Sequence, residues 1–190
     1  MARRSKAATN FANQVQEIKV LLDTFLERIE HDDLRAQVVS LVPAFYALRD
    51  LGSGLVTGES INSAKERILA YLRKYPRTVI EGDELLVVSG IGEWARRVRE
   101  LRVQFGWSIY TGATLSDVIE ESPEIAQEVF EMLGMDPSKL KPNQYVLMKE
   151  EQDREAALRW NQLNTIRRKS TSVKSKLLEY FRTNVGHVVT

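Results

Sequence analysis

The chain has 190 residues, 43% of them hydrophobic and 28% charged, and its 27 basic and 26 acidic side chains leave a formal net charge of +1. That balance is ordinary for a folded globular protein and sets disorder aside. No apolar run approaches the length that crosses a bilayer, the opening Met-Ala-Arg-Arg-Ser-Lys lacks the apolar stretch of a secretory signal, and no cysteines with two histidines leave no disulfide framework, thiol nucleophile or zinc site. A cytoplasmic protein with no metal and no cofactor is expected.

The first segment places Phe11, Val15, Ile18, Leu22, Phe25 and Ile29 at alternating steps of four and three, the spacing of a heptad seam. After a polar break at His31-Asp32-Asp33, where either aspartate can cap a helix start, the rhythm returns at Leu34, Val38, Leu41, Phe45 and Leu48, with Pro43 as a point of kinking. His31 at this boundary reads as a capping or surface residue. Residues 1–51 therefore predict a helical hairpin. Its seam is buried against the next domain, against a twin in a homodimer through residues 11–48, or within the monomer core. The stretch from Leu51-Gly52-Ser53-Gly54 to Gly58 lacks the Lys-Ser or Lys-Thr pair of a phosphate loop and reads as a linker over residues 52–62.

Residues 63–149 read as a winged helix. Ser63 to Tyr75 predicts a helix with Ile68, Leu69 and Leu72 toward the core, ended by Pro76. Thr78-Val79-Ile80 is a short extended stretch, and Glu81 to Ser89 a second short helix with Leu85, Leu86 and Val88. After the turn Gly90-Ile91-Gly92, Glu93 to Phe105 predicts a third helix with Trp94, Val98, Leu101 and Phe105 on one buried stripe. Gly106 to Tyr110 opens a wing whose pairing strand is Gln144 to Met148, with Trp107 packed under it. Between them lies an acidic insertion, about 113–141, with its own helix started by Ser122-Pro123-Glu124 and closed by Gly134. Residues 150–171 predict a connecting helix that packs through Ala156, Trp160, Leu163 and Ile166.

Residues 172–190 resemble the start of the same unit at a constant offset of about 109 residues. Ser63, Lys65, Leu69, Tyr71 and Arg73 recur as Ser172, Lys174, Leu178, Tyr180 and Arg182. Conservative matches pair Arg67 with Lys176, Ile68 with Leu177, Leu72 with Phe181 and Val79-Ile80 with Val188-Val189, while His187 takes the place of Arg77. The expected fold class is mainly α with a small β wing, a helical hairpin followed by a winged-helix domain and the truncated start of a second winged-helix repeat. The native protein is then expected to continue past Thr190.

The near-neutral total hides segregation. Acidic side chains dominate from Thr114 to Glu155, whereas bases gather on the third helix and again at Arg167-Arg168-Lys169, Lys174 and Lys176. A helix after a tight glycine turn, apolar on one side and arginine-rich on the other, is what a recognition helix requires, because it must dock on its domain and offer fork-shaped donors to phosphates and guanine edges. Candidate DNA-binding residues are therefore Arg96, Arg97, Arg99 and Arg102, with Arg168, Lys169, Lys174 and Lys176 extending the footprint. Helical geometry makes Arg96 and Arg99 the most exposed. The opposing reading is a solvated helix whose arginines pair with Glu93 and Glu100. The acidic cluster Glu120-Glu121 and Glu124-Glu128-Glu131 lacks converging histidines and reads as a solvated face.

The run Glu93-Trp94-Ala95-Arg96-Arg97-Val98-Arg99-Glu100-Leu101-Arg102, then Gly106-Trp107, Tyr145-Val146-Leu147 and Ala156 to Arg168, resembles the region upstream of the nuclease domain in HNH-family endonucleases, many of them restriction-like. The resemblance spans roughly Ser63 to Thr190, and residues 1–58 carry none of it. It implies a duplex-DNA-binding region that positions a metal-dependent nuclease lying beyond Thr190. The histidines, asparagine and cysteines of the HNH module have no counterpart here, so no catalytic residue carries over. A protein-interaction module, suggested by the heptad hairpin and the acidic insertion, and a dimeric transcriptional regulator on a palindromic site are the alternatives.

Overall fold

The computed structural model describes residues 2–30, 33–121, 124–169 and 172–183. His31, His187, Ser122-Pro123 and Val188-Val189, each of which carried an expectation above, lie outside them. The described residues are mainly helical with one three-stranded sheet. Contacts divide the chain into two units, Met1–Tyr71 with Glu81–Trp94, and Leu72–Ile80 with Ala95–Thr190.

The first unit opens with α1 (Ala2–Arg28) and α2 (Leu34–Ser53), packed against each other as a hairpin. Asp33 starts α2 by accepting a hydrogen bond from the Ala36 amide, which satisfies one of the free donors of the first turn. Gln37 ties the turn by donating to the Ile29 carbonyl at 2.7 Å. The seam expected from the sequence is only half right. Phe11, Ile18 and Phe25 are withdrawn from solvent, together with Gln14 and Leu21, but Val15, Leu22 and Ile29 are exposed. On α2 the withdrawn series is Gln37, Ser40, Ala44, Ala47 and Leu51, and all five of the large residues expected in the seam, Leu34, Val38, Leu41, Phe45 and Leu48, face solvent. On α2 small side chains dominate the inner stripe and leave room for the larger Phe11, Ile18, Leu21 and Phe25 of α1.

The α2 helix runs through Pro43 and on to Ser53, so Gly52, expected to start the linker, is a buried helical residue. A Cβ there would stand 2.9 Å from the Val87 side chain of α4 (Gly82–Ser89), so the absence of a side chain at Gly52 is what lets α2 and α4 pack this closely. Between them, α3 (Ala64–Lys74) starts with a reciprocal cap. Ser63 Oγ accepts from the Glu66 amide, and the Glu66 carboxylate accepts from the amides of Asn62 and Ser63 at 2.7 and 2.9 Å.

The second unit is built on the sheet, ordered β1-β3-β2 with β1 (Ile80–Glu81), β2 (Trp107–Thr111) and β3 (Gln144–Gln152). The wing pairing expected from the sequence is present: β2 and β3 are antiparallel, with Ile109 opposite Leu147 and Thr111 opposite Tyr145. The strand β3 continues beyond Met148 to Gln152, so the helix expected from residue 150 begins later, as α8 (Arg154–Arg168), where Asp153 caps it by accepting from the Ala156 amide. Helix α5 (Trp94–Val103) precedes β2. Its stripe holds at Val98 and Leu101, but Phe105 lies past the helix end and is 39% exposed.

The acidic insertion contains two helices where the sequence suggested one, α6 (Gly112–Glu121) and α7 (Ile125–Leu133). Thr111 and Thr114 start α6 by exchanging side-chain and backbone hydrogen bonds of 2.8 and 3.0 Å. Leu115, Val129 and Leu140 of this segment join Val146 and Met148 of β3 in one buried cluster, so the insertion is part of the unit's core. The chain's described part ends in α9 (Val173–Thr183), which packs on α8 and has the same length, 11 residues, as α3, its counterpart in the repeat alignment.

Two expectations follow. Gly106 has φ +70 and a Cβ on it would lie 2.0 Å from the Asp153 carbonyl oxygen, whereas Gly134 has φ +66 with nothing within 4 Å. Urea unfolding should show Gly106→Ala losing about 2–5 kcal/mol, from backbone strain plus overpacking, and Gly134→Ala only about 1–2 kcal/mol from strain. The hydrogen bonds from the Asn62 amide and from Ser63 hold the Glu66 carboxyl below its ordinary pKa. A depressed pKa gives stability that is present above the unfolded value and lost as pH falls through the folded one. The Tm gap between the native chain and Glu66→Gln should therefore be present at pH 7 and close as pH drops below about 4.3.

Candidate nucleic-acid interface

The turn leading toward α5 is fixed by a residue the sequence reading used only as a repeat match. Arg67 donates from Nε and Nη2 to the carbonyls of Val88 and Ser89, at 3.0 and 2.5 Å, and so satisfies the open C-terminal end of α4. The fully buried Ser89 accepts from the Ile91 amide through its hydroxyl. A basic residue at helical spacing beside an unfinished helix end was the available signal, and only tertiary proximity gives it meaning.

Within α5 the four arginines have different surroundings. Val98 and Leu101 anchor the helix at 1% and 2% exposure. On the other side Arg96 and Arg99 are exposed, as helical geometry predicts. Glu100, whose side chain is only 16% exposed, accepts two hydrogen bonds of 2.7 Å from Arg97 Nη1 and stands 3.5 Å from Arg96 Nε. The opposing reading of the sequence is thus realised for one arginine and touched by a second. Arg97 is committed to an intrahelical pair, while the Arg96 side chain stays 68% exposed beside it. Arg102 is half-buried and lies near Tyr145. Burial raises the Tyr145 hydroxyl above its ordinary pKa, and the Arg102 guanidinium pulls it partly back.

The β2–β3 pair adds charge of both signs. Trp107 is partly buried at its start, with the Arg73 guanidinium over its ring at 5.5 Å to the centroid. At the end of β3, Lys149, Glu150 and Glu151 are all exposed, and Asp117, Glu120, Glu124, Glu128 and Glu131 of the insertion are exposed as well. An approaching phosphate meets attraction from α5 and repulsion from these carboxylates.

The second basic group divides in the same way. Lys169 pairs with Glu179 and Lys176 donates to the Arg167 carbonyl at 3.0 Å, so these two lysines hold the α8–α9 joint together. Arg168 and Lys174 remain exposed on either side of it. Among the described residues, no three His, Asp or Glu side chains converge where a metal ion could be held, and no helix is long and apolar enough to cross a membrane.

Residues 65–148 match the family model described as the KpnI N-terminal domain. The match begins in the first turn of α3 and ends in β3, and it covers α4, α5, β2 and the whole acidic insertion. It leaves out the α1–α2 hairpin, α8 and α9. Comparison with curated proteins and with solved structures returned no match.

Proposed function

We propose that residues 63–149 form a winged helix that binds duplex DNA through α5, as a recognition and positioning region of an HNH-type restriction endonuclease, with no chemistry of its own. The observation that carries this reading is the outward pair Arg96 and Arg99 on a helix anchored by Val98 and Leu101, inside the stretch that matches the N-terminal domain of KpnI, an HNH-type restriction enzyme. Guanidinium groups on a rigid helix suit phosphate and guanine contacts because their donors are planar, fixed and always charged. Arg97 and Arg102 act as supports, orienting Glu100 and the wing base, and Arg168 and Lys174 extend the positive footprint at the α8–α9 joint. In this reading α9 is the first helix of a second winged-helix repeat.

Fluorescence anisotropy of the 190-residue chain with a labelled duplex, taken across a salt series, tests the proposal. Binding is expected to weaken steeply with salt, and Arg96→Ala with Arg99→Ala should reduce affinity at least tenfold and flatten the salt slope by about 2. Glu100→Gln releases the arginines it holds and should tighten binding a few-fold, the scale of an exposed pair worth about 0.2–1 kcal/mol. Absence of binding at low salt would instead favour a protein-interaction module, for which the exposed acidic face of α6 and α7 supplies the surface.

A further inference from the structure

The hairpin presents an apolar face that is exposed among the described residues. The inner series of α1 and of α2 each repeat at steps of three and four, and the exposed apolar residues follow the inner ones by one position. On α2, Val38, Leu41, Phe45 and Leu48 follow Gln37, Ser40, Ala44 and Ala47, and Leu34 extends the row by one turn. On α1, Val15, Leu22 and Leu26 follow Gln14, Leu21 and Phe25, and Ile29 lies a heptad beyond Leu22.

One residue advances a helix by about 100°, always with the same hand. The two helices are antiparallel: Gln37 bonds back to Ile29 at one end, and at the other a Cβ on Gly54 would meet the Phe11 ring at 3.6 Å. For an antiparallel pair, turning each helix by the same step away from the shared contact carries both second rows to the same side of the hairpin. The outer residues of α1 and α2 therefore make one surface. Phe45 is 65% exposed on it and Leu26 is 62% exposed. Lys19, between Val15 and Leu22 on the α1 row, is its charged member, and its long stem can lie along the apolar surface with the ammonium at the edge.

We propose that this face is a homodimer interface, on which a second copy of the chain packs the same two rows to make a four-helix bundle. Three features choose this occupant. The nine residues present on the order of 800 Å² of apolar surface, above the roughly 300–600 Å² of the largest patch on a typical monomer and equal to the share of one partner in a standard interface. The rows keep heptad spacing on both helices, the pattern that a facing helix of the same spacing interlocks with. The face is almost uncharged, so its own twofold copy meets it without like-charge repulsion, which an acidic or basic partner would not exploit. The proposal does not depend on DNA binding.

Sedimentation equilibrium of the full chain tests it, with Leu41→Glu/Phe45→Glu and Val39→Glu as variants. Val39 is exposed but lies on the opposite flank of α2. The native chain and Val39→Glu should be dimers at micromolar concentration, and the double variant should dissociate about 100-fold more readily while keeping its helical circular dichroism. Leu41→Asn/Phe45→Asn, which adds no charge, gives the same reading if the glutamate variant does not fold. A native chain that stays monomeric at 100-fold higher concentration overturns the proposal. So does a dimer that survives the double substitutions, or one that Val39→Glu breaks equally well.

Discussion

One backbone contact fixes the frame of the second unit. The Gly106 carbonyl accepts from the Asp153 amide at 2.8 Å, while the Gly106 amide closes the end of α5 by donating to the Arg102 carbonyl. Asp153 in turn caps α8, so the end of α5, the start of β2, the end of β3 and the start of α8 meet at two residues. Only a residue without a side chain fits, because the Asp153 carbonyl occupies the place of a Cβ. Asn161 reinforces the joint from α8 by donating to the Gln104 carbonyl. The direction in which α5 leaves this joint, and with it the direction of its arginines, follows from local backbone geometry.

Charge is then distributed on that frame so that the total conceals the pattern. A single largely buried carboxylate on α5, Glu100, holds one arginine closely and a second loosely. Such pairs on a solvated helix are worth about 0.2–1 kcal/mol each and are screened by salt. In the proposed binding mode a row of phosphates would compete with this one carboxylate, so the pair orders the guanidinium groups at a modest cost to binding. The acidic residues on α6 and α7 cannot be disregarded in the same way, since the insertion is tied to β3 through Leu115, Val129 and Leu140 and is not free to swing aside. Any duplex bound through α5 has to be placed where these carboxylates remain in solvent, which restricts the approach more than the net charge suggests.

The legible and illegible parts of the sequence differ for physical reasons. The pairing of β2 with β3, across a long intervening segment, could be read because a short apolar run between turn residues has few places to go and Ile109, Val146 and Leu147 must be buried. Helix α6 is hard to read because it follows β2 directly, with the single Gly112 at the junction. Its signal was Thr111 and Thr114, spaced for a reciprocal cap. The length of β3 was underestimated because Lys149, Glu150 and Glu151 read as a helix start, although a backbone ladder tolerates charged side chains on an exposed end. In α5 the exposure of Arg96 and Arg99 followed from periodicity alone, whereas the role of Arg67 required knowing which helix end lay beside it.

The hairpin shows the limit of periodicity most directly. An apolar row at heptad spacing identifies a surface that must leave water, but it does not name the surface that covers it. In α2 the strongest row is Leu34 to Leu48, yet the stripe against the hairpin partner is made of Gln37, Ser40 and alanines. Two rows set about 100° apart on each helix give a helix two neighbours, and a two-helix hairpin supplies only one. Gln14, whose buried Oε1 has no hydrogen-bond partner among the described residues, further lowers what the inner contact contributes. On α2 the larger apolar side chains therefore face away from α1, and it is α1 that brings the bulk to the inner contact, through Phe11, Ile18, Leu21 and Phe25.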